Sequence, residues 1–202
     1  MNYPKSLKEL IECYKKLPGV GEKSAERMAL ATLQLEQETL DLFSKSVKEV
    51  RKNTKRCSIC NNFCENDKCL VCCDDSRDKN TICVVEESKN VIHFEKIGTF
   101  NGLYHVLDGL ISPLDGVTPD QINIDKLLER IKKDKIKEII FALKPSIEGE
   151  TTILYISKLL ENDDVMISKI AHGIPMGAEI DYLDSLTLEM ALEDRKKINN
   201  KN

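Results

Sequence analysis

The chain has 202 residues, 41% hydrophobic and 32% charged, with 5% aromatic residues and no tryptophan. That length supports one medium domain with small appendages around an aliphatic core, and no apolar run approaches the ~18–20 residues of a membrane-spanning helix. The net charge of -4 hides an asymmetry: residues 1–56 carry 12 Lys/Arg against 8 Asp/Glu (+4), and residues 57–202 carry 18 against 26 (-8).

In chain order, the first 56 residues read as helical. Ser6-Leu7-Lys8-Glu9 fits a capping box, with Leu7, Leu10, Ile11 and Tyr14 recurring at helical spacing. Leu17-Pro18-Gly19-Val20-Gly21 ends that helix. A second helix is expected over 22–35, with Ala25, Met28, Ala29, Thr32 and Leu33 facing inward. A third is expected over 40–52, burying Leu40, Phe43, Val47 and Val50. Residues 57–73 hold six of the eight cysteines as a compact unit. From Thr81 the pattern changes to strands at 82–85, 103–107, 138–143 and 165–171, alternating with helices at 88–97, 124–133 and 151–160. This alternation predicts an α/β fold with a parallel sheet covered on both faces. Lys196 to Asn202 is expected to fray. The N-terminus, Met1-Asn2-Tyr3-Pro4-Lys5, lacks the apolar stretch of a secretory signal, so a cytoplasmic location and reduced thiols are expected.

The strongest chemical motif is Cys57-x2-Cys60-x8-Cys69-x2-Cys72. Each Cys-x-x-Cys aims two thiolates at one centre, and two such knuckles complete a tetrahedron suited to a closed, structural Zn2+ site. Lys55, Arg56 and Lys68 lie nearby to offset its negative charge. An iron–sulfur centre and a chance set of buried cysteines are the alternatives. Cys64 and Cys73 fall outside the quartet, with Cys73 expected to point away.

The second motif is the turn Leu17–Ala25. Gly19 and Gly21 expose backbone N–H groups at a helix start, and Lys23 and Arg27, four apart, share the neighbouring face. This favours a phosphate; an ordinary interhelical turn with a solvated basic face is the alternative. The third is carboxylate: Glu86 ends the first strand, and Glu148-Gly149-Glu150 is placed in the loop after the strand ending at Leu143. Converging at the carboxyl ends of parallel strands, they could bind Mg2+. Solvated loop acids, or a helix N-terminus favoured by its dipole, are the alternatives.

In this order and combination, these segments resemble one family, the bacterial RecR recombination mediators. The likeness also takes in Ile82–Glu86, Ser112-Pro113-Leu114-Asp115-Gly116, Pro145–Glu150 and Ile170–Gly177. It implies a helix-hairpin-helix DNA-binding segment over 1–56, a four-cysteine zinc finger over 57–73 and a Rossmann-like Toprim domain over 80–175. A C-terminal tail over 176–202 would pack on the body or a neighbouring subunit. It further implies a non-enzymatic, nucleoid-associated protein acting with RecO and RecF to load RecA onto gapped DNA coated by single-strand-binding protein, as a dimer or ring tetramer. By matching motif, Gly19, Gly21, Lys23 and Arg27 take the DNA-contact role and Cys57, Cys60, Cys69 and Cys72 the zinc role. Glu86, Glu148 and Glu150 match the Toprim acids, with partner docking or weak Mg2+ binding as their roles. Toprim enzymes usually carry Asp-x-Asp where this chain has Glu148-Gly149-Glu150. A Mg2+-dependent Toprim nuclease is the competing reading. The apolar–acidic run Ile180–Asp184 has been likened to a Walker B element, but no phosphate-binding loop accompanies it. His93 and His105 are read as packing or surface residues, and His172 as shaping a loop.

Overall fold

A computed structural model of the chain describes residues 3–171 and 173–195. His172 and the 196–202 end, for which a loop role and fraying are expected, lie outside the described residues. The chain forms two compact units, Met1–Thr54 and Lys55–Asn202. No helix among the described residues is long and apolar enough to cross a membrane.

The first unit contains α1 (Lys5–Lys15), α2 (Glu22–Thr32) and α3 (Gln37–Asn53). Leu7 and Ile11 of α1 meet Ala25 and Ala29 of α2 in a small core, with Tyr3, Leu10, Tyr14 and Val20 packed around it. The two alanines let the helices approach closely, and Tyr14 Oη hydrogen-bonds Thr32 Oγ1 at 2.8 Å. The expected capping box does not form: Pro4 is the N-cap, with no side-chain cap bond, and Ser6 lies inside the first turn. The Pro4 carbonyl accepts from Lys8 N instead. Met28 and Leu33 are exposed, in contrast to the inward-facing expectation.

The larger departure is α3. None of its residues is buried; Leu40 is half-buried and Phe43, Val47 and Val50 are 44%, 58% and 60% exposed. Periodicity correctly marks the helix as amphipathic, but the described residues of the first unit do not cover its apolar face.

The second unit opens with the short antiparallel pair β1 (Lys55–Arg56) and β2 (Phe63–Cys64), followed by α4 (Leu70–Cys73). Next come β3 (Thr81–Val85), α5 (Ser88–Ile97), β4 (Leu103–Val106), α6 (Ile124–Asp134), β5 (Glu138–Ala142), α7 (Ile147–Leu159) and β6 (Met166–Lys169). A 3-10 turn at Ile180–Tyr182 and α8 (Ser185–Glu193) end the described chain. The sheet is four-stranded, ordered β4-β3-β5-β6, and every pairing is parallel. Its centre is fully buried: Ile82, Val84, Val85, Ile139 and Phe141 are all 0% exposed. Runs such as Ile82–Val85 are apolar on successive residues because helices cover both faces.

The helix expected from residue 151 starts at Ile147. Ser146 caps it, accepting from Gly149 N at 3.3 Å. Glycine is required at 149 because a Cβ there would collide with the Lys144 carbonyl. Glu148 and Glu150 therefore stand in the first turn of α7 and not in a loop.

Candidate metal centre and nucleic-acid interface

The cysteine quartet is gathered as its spacing predicts. The sulfurs of Cys57, Cys60, Cys69 and Cys72 all lie within 4.8 Å of one another, with three of the residues buried and Cys72 half-buried. Cys60 Sγ and Cys69 Sγ are 3.5 Å apart. A tetrahedron with metal–sulfur bonds of about 2.3 Å has edges of about 3.8 Å, so the four thiols suit a tetrahedral ion with only a small adjustment. The thiols perturb one another strongly. Hydrogen bonding to Cys69, then to Cys72, and then burial push the Cys60 thiol far up, while the same bonds hold Cys69 down as the shared acceptor. Four thiols this close cannot all ionise unaided, and a bound cation would supply the compensating charge in place of their protons.

The local backbone explains the convergence. Cys57 N donates to Asn62 O, Asn61 N to Cys57 O, and Asn61 takes a left-handed φ of 61°, closing the first knuckle. Cys69 N donates to Cys57 Sγ at 3.3 Å, tying the second knuckle to the first. Cys64 is half-buried, with its thiol directed to the Asn66 carbonyl at 2.9 Å, and Cys73 is exposed.

The knuckle is also joined to the sheet. Val106 N donates to Cys60 O at 2.9 Å, and Asn61 Nδ2 donates to Val106 O at 3.2 Å. Arg56 contacts Asp108 at 2.7 Å and Ser88 Oγ at 3.0 Å, and lies over the Phe63 ring. No sequence motif marks Asn61, Arg56 or Asp108 for this role. Their partners are 45 and 52 residues away, beyond any local motif; the Asn-Asn pair after Cys60 is the one local hint of a left-handed turn.

In the first unit, Gly19 has φ +79°, a left-handed conformation that favours glycine. A Cβ at Gly19 or Gly21 would meet nothing within 4 Å, so the turn is open to an approaching ligand. Gly21 is the N-cap of α2, whose first amides have no intrahelical acceptor. Lys23 and Arg27 are exposed beside the turn and join no ion pair among the described residues. Lys15 bridges Glu12 at 2.9 Å and Glu22 at 2.8 Å, bracing α1 against the start of α2.

The three acids take different surroundings. The sheet reverses its direction of growth between β3 and β5, leaving a crevice at their carboxyl ends. Glu86 lines this cleft of about 520 Å3 with Lys89 and Lys144. Glu150 is engaged by Lys169 Nζ at 3.2 Å. The Ser146 hydroxyl, followed by the backbone at the start of α7, holds the Glu148 carboxyl below its ordinary value. Among the described residues, the cysteine quartet is the one group of potential metal ligands drawn so close together.

Comparison with known proteins decides the family. Residues 7–51 match the RecR helix-hairpin-helix model, 80–171 a Toprim domain and 173–196 the RecR C-terminal model. The chain is also 45% identical to the recombination protein RecR of Lactobacillus johnsonii over 196 residues, covering 96% of this chain and 98% of that protein. The chain belongs to the RecR family. The helix-hairpin-helix match brackets the open Gly19–Gly21 turn, and the Toprim match brackets the parallel sheet with Glu86, Glu148 and Glu150. The cysteine quartet lies between the two matched segments.

Proposed function

We propose that this protein is a DNA-binding mediator of recombinational repair that contributes grip and assembly, with no bond-making chemistry of its own. The observation that carries the reading is the open glycine turn at the start of α2, flanked by Lys23 and Arg27, which join no ion pair among the described residues, in a RecR-family chain. Backbone amides and two cations at one helix start suit a phosphodiester and read no base, so binding is independent of sequence.

The quartet's metal is Zn2+, held by Cys57, Cys60, Cys69 and Cys72; four thiolates around a redox-silent ion fit a structural role. When bound, it fixes the two knuckles on the sheet edge. The uncovered apolar face of α3 supports self-association into a dimer or ring, in which modest contacts from each copy add through effective concentration. The acids at the sheet's carboxyl end, Glu86, Glu148 and Glu150, serve partner docking. RecO and RecF are the partners, and the assembly helps load RecA onto gapped DNA at the nucleoid.

The test is fluorescence anisotropy of a labelled gapped duplex across a salt series. Lys23→Ala with Arg27→Ala is expected to weaken binding and to flatten the log–log salt slope by about 1.8, at ~0.9 per lost contact to duplex DNA. Binding and slope equal to those of the parent protein would remove the hairpin from the interface.

A further inference from the structure

Two adjoining clefts of about 320 and 310 Å3 lie in the second unit, both lined by Ile59 of the first cysteine knuckle and by Arg130 and Asp134 of α6. Lys126, Arg130 and Lys133 all line the second cleft. Spaced four and three residues apart, they climb one face of the helix in steps of about 6 and 4.5 Å. Lys126 and Lys133 are exposed and join no ion pair among the described residues.

Arg130 has a different environment. It is 6% exposed, and NH1 donates to the Tyr104 carbonyl at 2.7 Å. Its buried Nε has no hydrogen-bond partner among the described residues, and Asp134, its ion-pair partner at 3.6 Å, is itself 42% exposed. A guanidinium removed from water needs a full complement of acceptors or a close counter-charge. Arg130 has one neutral carbonyl and an ion pair with the partly exposed Asp134 at 3.6 Å, which leaves the guanidinium short of hydrogen-bond acceptors. The cleft also contains Glu129, so three cations face two acids, in a part of the sequence whose overall balance is -8 (18 basic against 26 acidic over 57–202).

We propose that this face of α6 is a second nucleic-acid contact, a cleft that holds the phosphodiester backbone of single-stranded DNA. Arg130 is its buried anchor, and Lys126 and Lys133 contact the flanking phosphates. Cations that climb one helix face at intervals of about 6 and 4.5 Å suit a polymer bearing one charge per repeat. No aromatic side chain lines either cleft, so bases are not stacked and binding is indifferent to sequence. An acidic peptide would meet the same three cations, and the experiment below separates it from DNA. The identity of the ligand as DNA rests on the DNA-binding reading above; the cleft, its charge and its buried arginine do not.

The experiment uses the full-length protein and a fluorescein-labelled oligothymidylate, titrated from about 50 to 200 mM salt. Lys126→Ala with Lys133→Ala is compared with Lys23→Ala plus Arg27→Ala and with the parent. The α6 pair is expected to flatten the salt slope by about 1.4, at ~0.7 per single-strand contact, with an unchanged thermal transition. Should the alanine pair lose that transition, Lys126→Gln with Lys133→Gln carries the same test. A slope equal to the parent's in the α6 variant, alongside a loss in the hairpin variant, overturns this proposal and leaves the hairpin reading standing. The reverse pattern supports the cleft and removes the hairpin, whereas a parent protein that binds no oligothymidylate overturns the cleft. An oligoglutamate peptide whose binding is lost in the α6 variant, while DNA binding is unaltered, also overturns it in favour of an acidic protein segment.

Discussion

Emptying the cysteine quartet should loosen one edge of the sheet at a defined residue. β4 is an edge strand, yet Leu103, Tyr104, His105 and Val106 are all buried. At its carboxyl end the knuckle substitutes for a neighbouring strand: Cys60 O accepts from Val106 N at 2.9 Å, and Asn61 Nδ2 donates to Val106 O at 3.2 Å. Without a metal to hold four sulfurs together, the turn that aims these two groups is free to open. Two hydrogen bonds at about 1 kcal/mol net each give about 2 kcal/mol, or roughly 30-fold faster amide exchange if Val106 exchanges by local opening. Hydrogen exchange resolved to single amides, before and after chelation and in Cys69→Ser, reads this directly. The amide of Val84, in the central strand β3, is the internal control and should keep its protection. Unchanged protection at Val106, in protein shown by elemental analysis to be metal-free, would refute the capping argument.

Two further outcomes follow from buried and spare side chains. His105 is fully buried, with Nε2 bonded to Asn123 O at 2.8 Å and Nδ1 without a partner among the described residues; burial, opposed by the Asn123 carbonyl, lowers its pKa to about 4. A folded value below the ordinary 6.5 means this stability is whole above about pH 6.5 and is lost as pH falls towards 4, about 3 kcal/mol in all. Denaturant unfolding across that window should show the slope in the parent and its loss in His105→Gln, and a slope that survives the substitution rejects the assignment. Cys64→Ser and Cys73→Ser, outside the quartet, should each retain one equivalent of metal, whereas Cys60→Ser should not. Metal lost from the Cys64 variant would bring that thiol into the ligand set.

Much of the second unit is legible in the sequence because parallel strands buried on both faces appear as unbroken apolar runs. Ile82–Val85 and Glu138–Leu143 each fall within a residue of β3 and β5, and α5 begins and ends where its pattern does. The cysteine spacing likewise carries its own geometry. The start of α7 is not legible because Ser146-Ile147-Glu148-Gly149-Glu150 looks like a polar turn, and its glycine answers instead to the Lys144 carbonyl five residues back, a contact that composition does not encode. The exposure of α3 is not legible because a 3.6-residue period identifies an apolar face without identifying what covers it. Asn61, Arg56 and Arg130 stayed hidden for a third reason: each bonds a residue at least 26 positions away, so its role exists only once the sheet has formed.

The slender core of the first unit has a consequence for when the protein is competent. Its buried apolar side chains are Leu7, Ile11, Ala25 and Ala29, two of them no larger than a methyl group. A segment of that size ordinarily relies on something beyond its own interior to remain folded. If a second copy covers α3, mass action ties the rigidity of the Gly19–Gly21 turn to how many copies are present. The hairpin would then act as a concentration gauge, firm where the protein accumulates and slack where it is dilute.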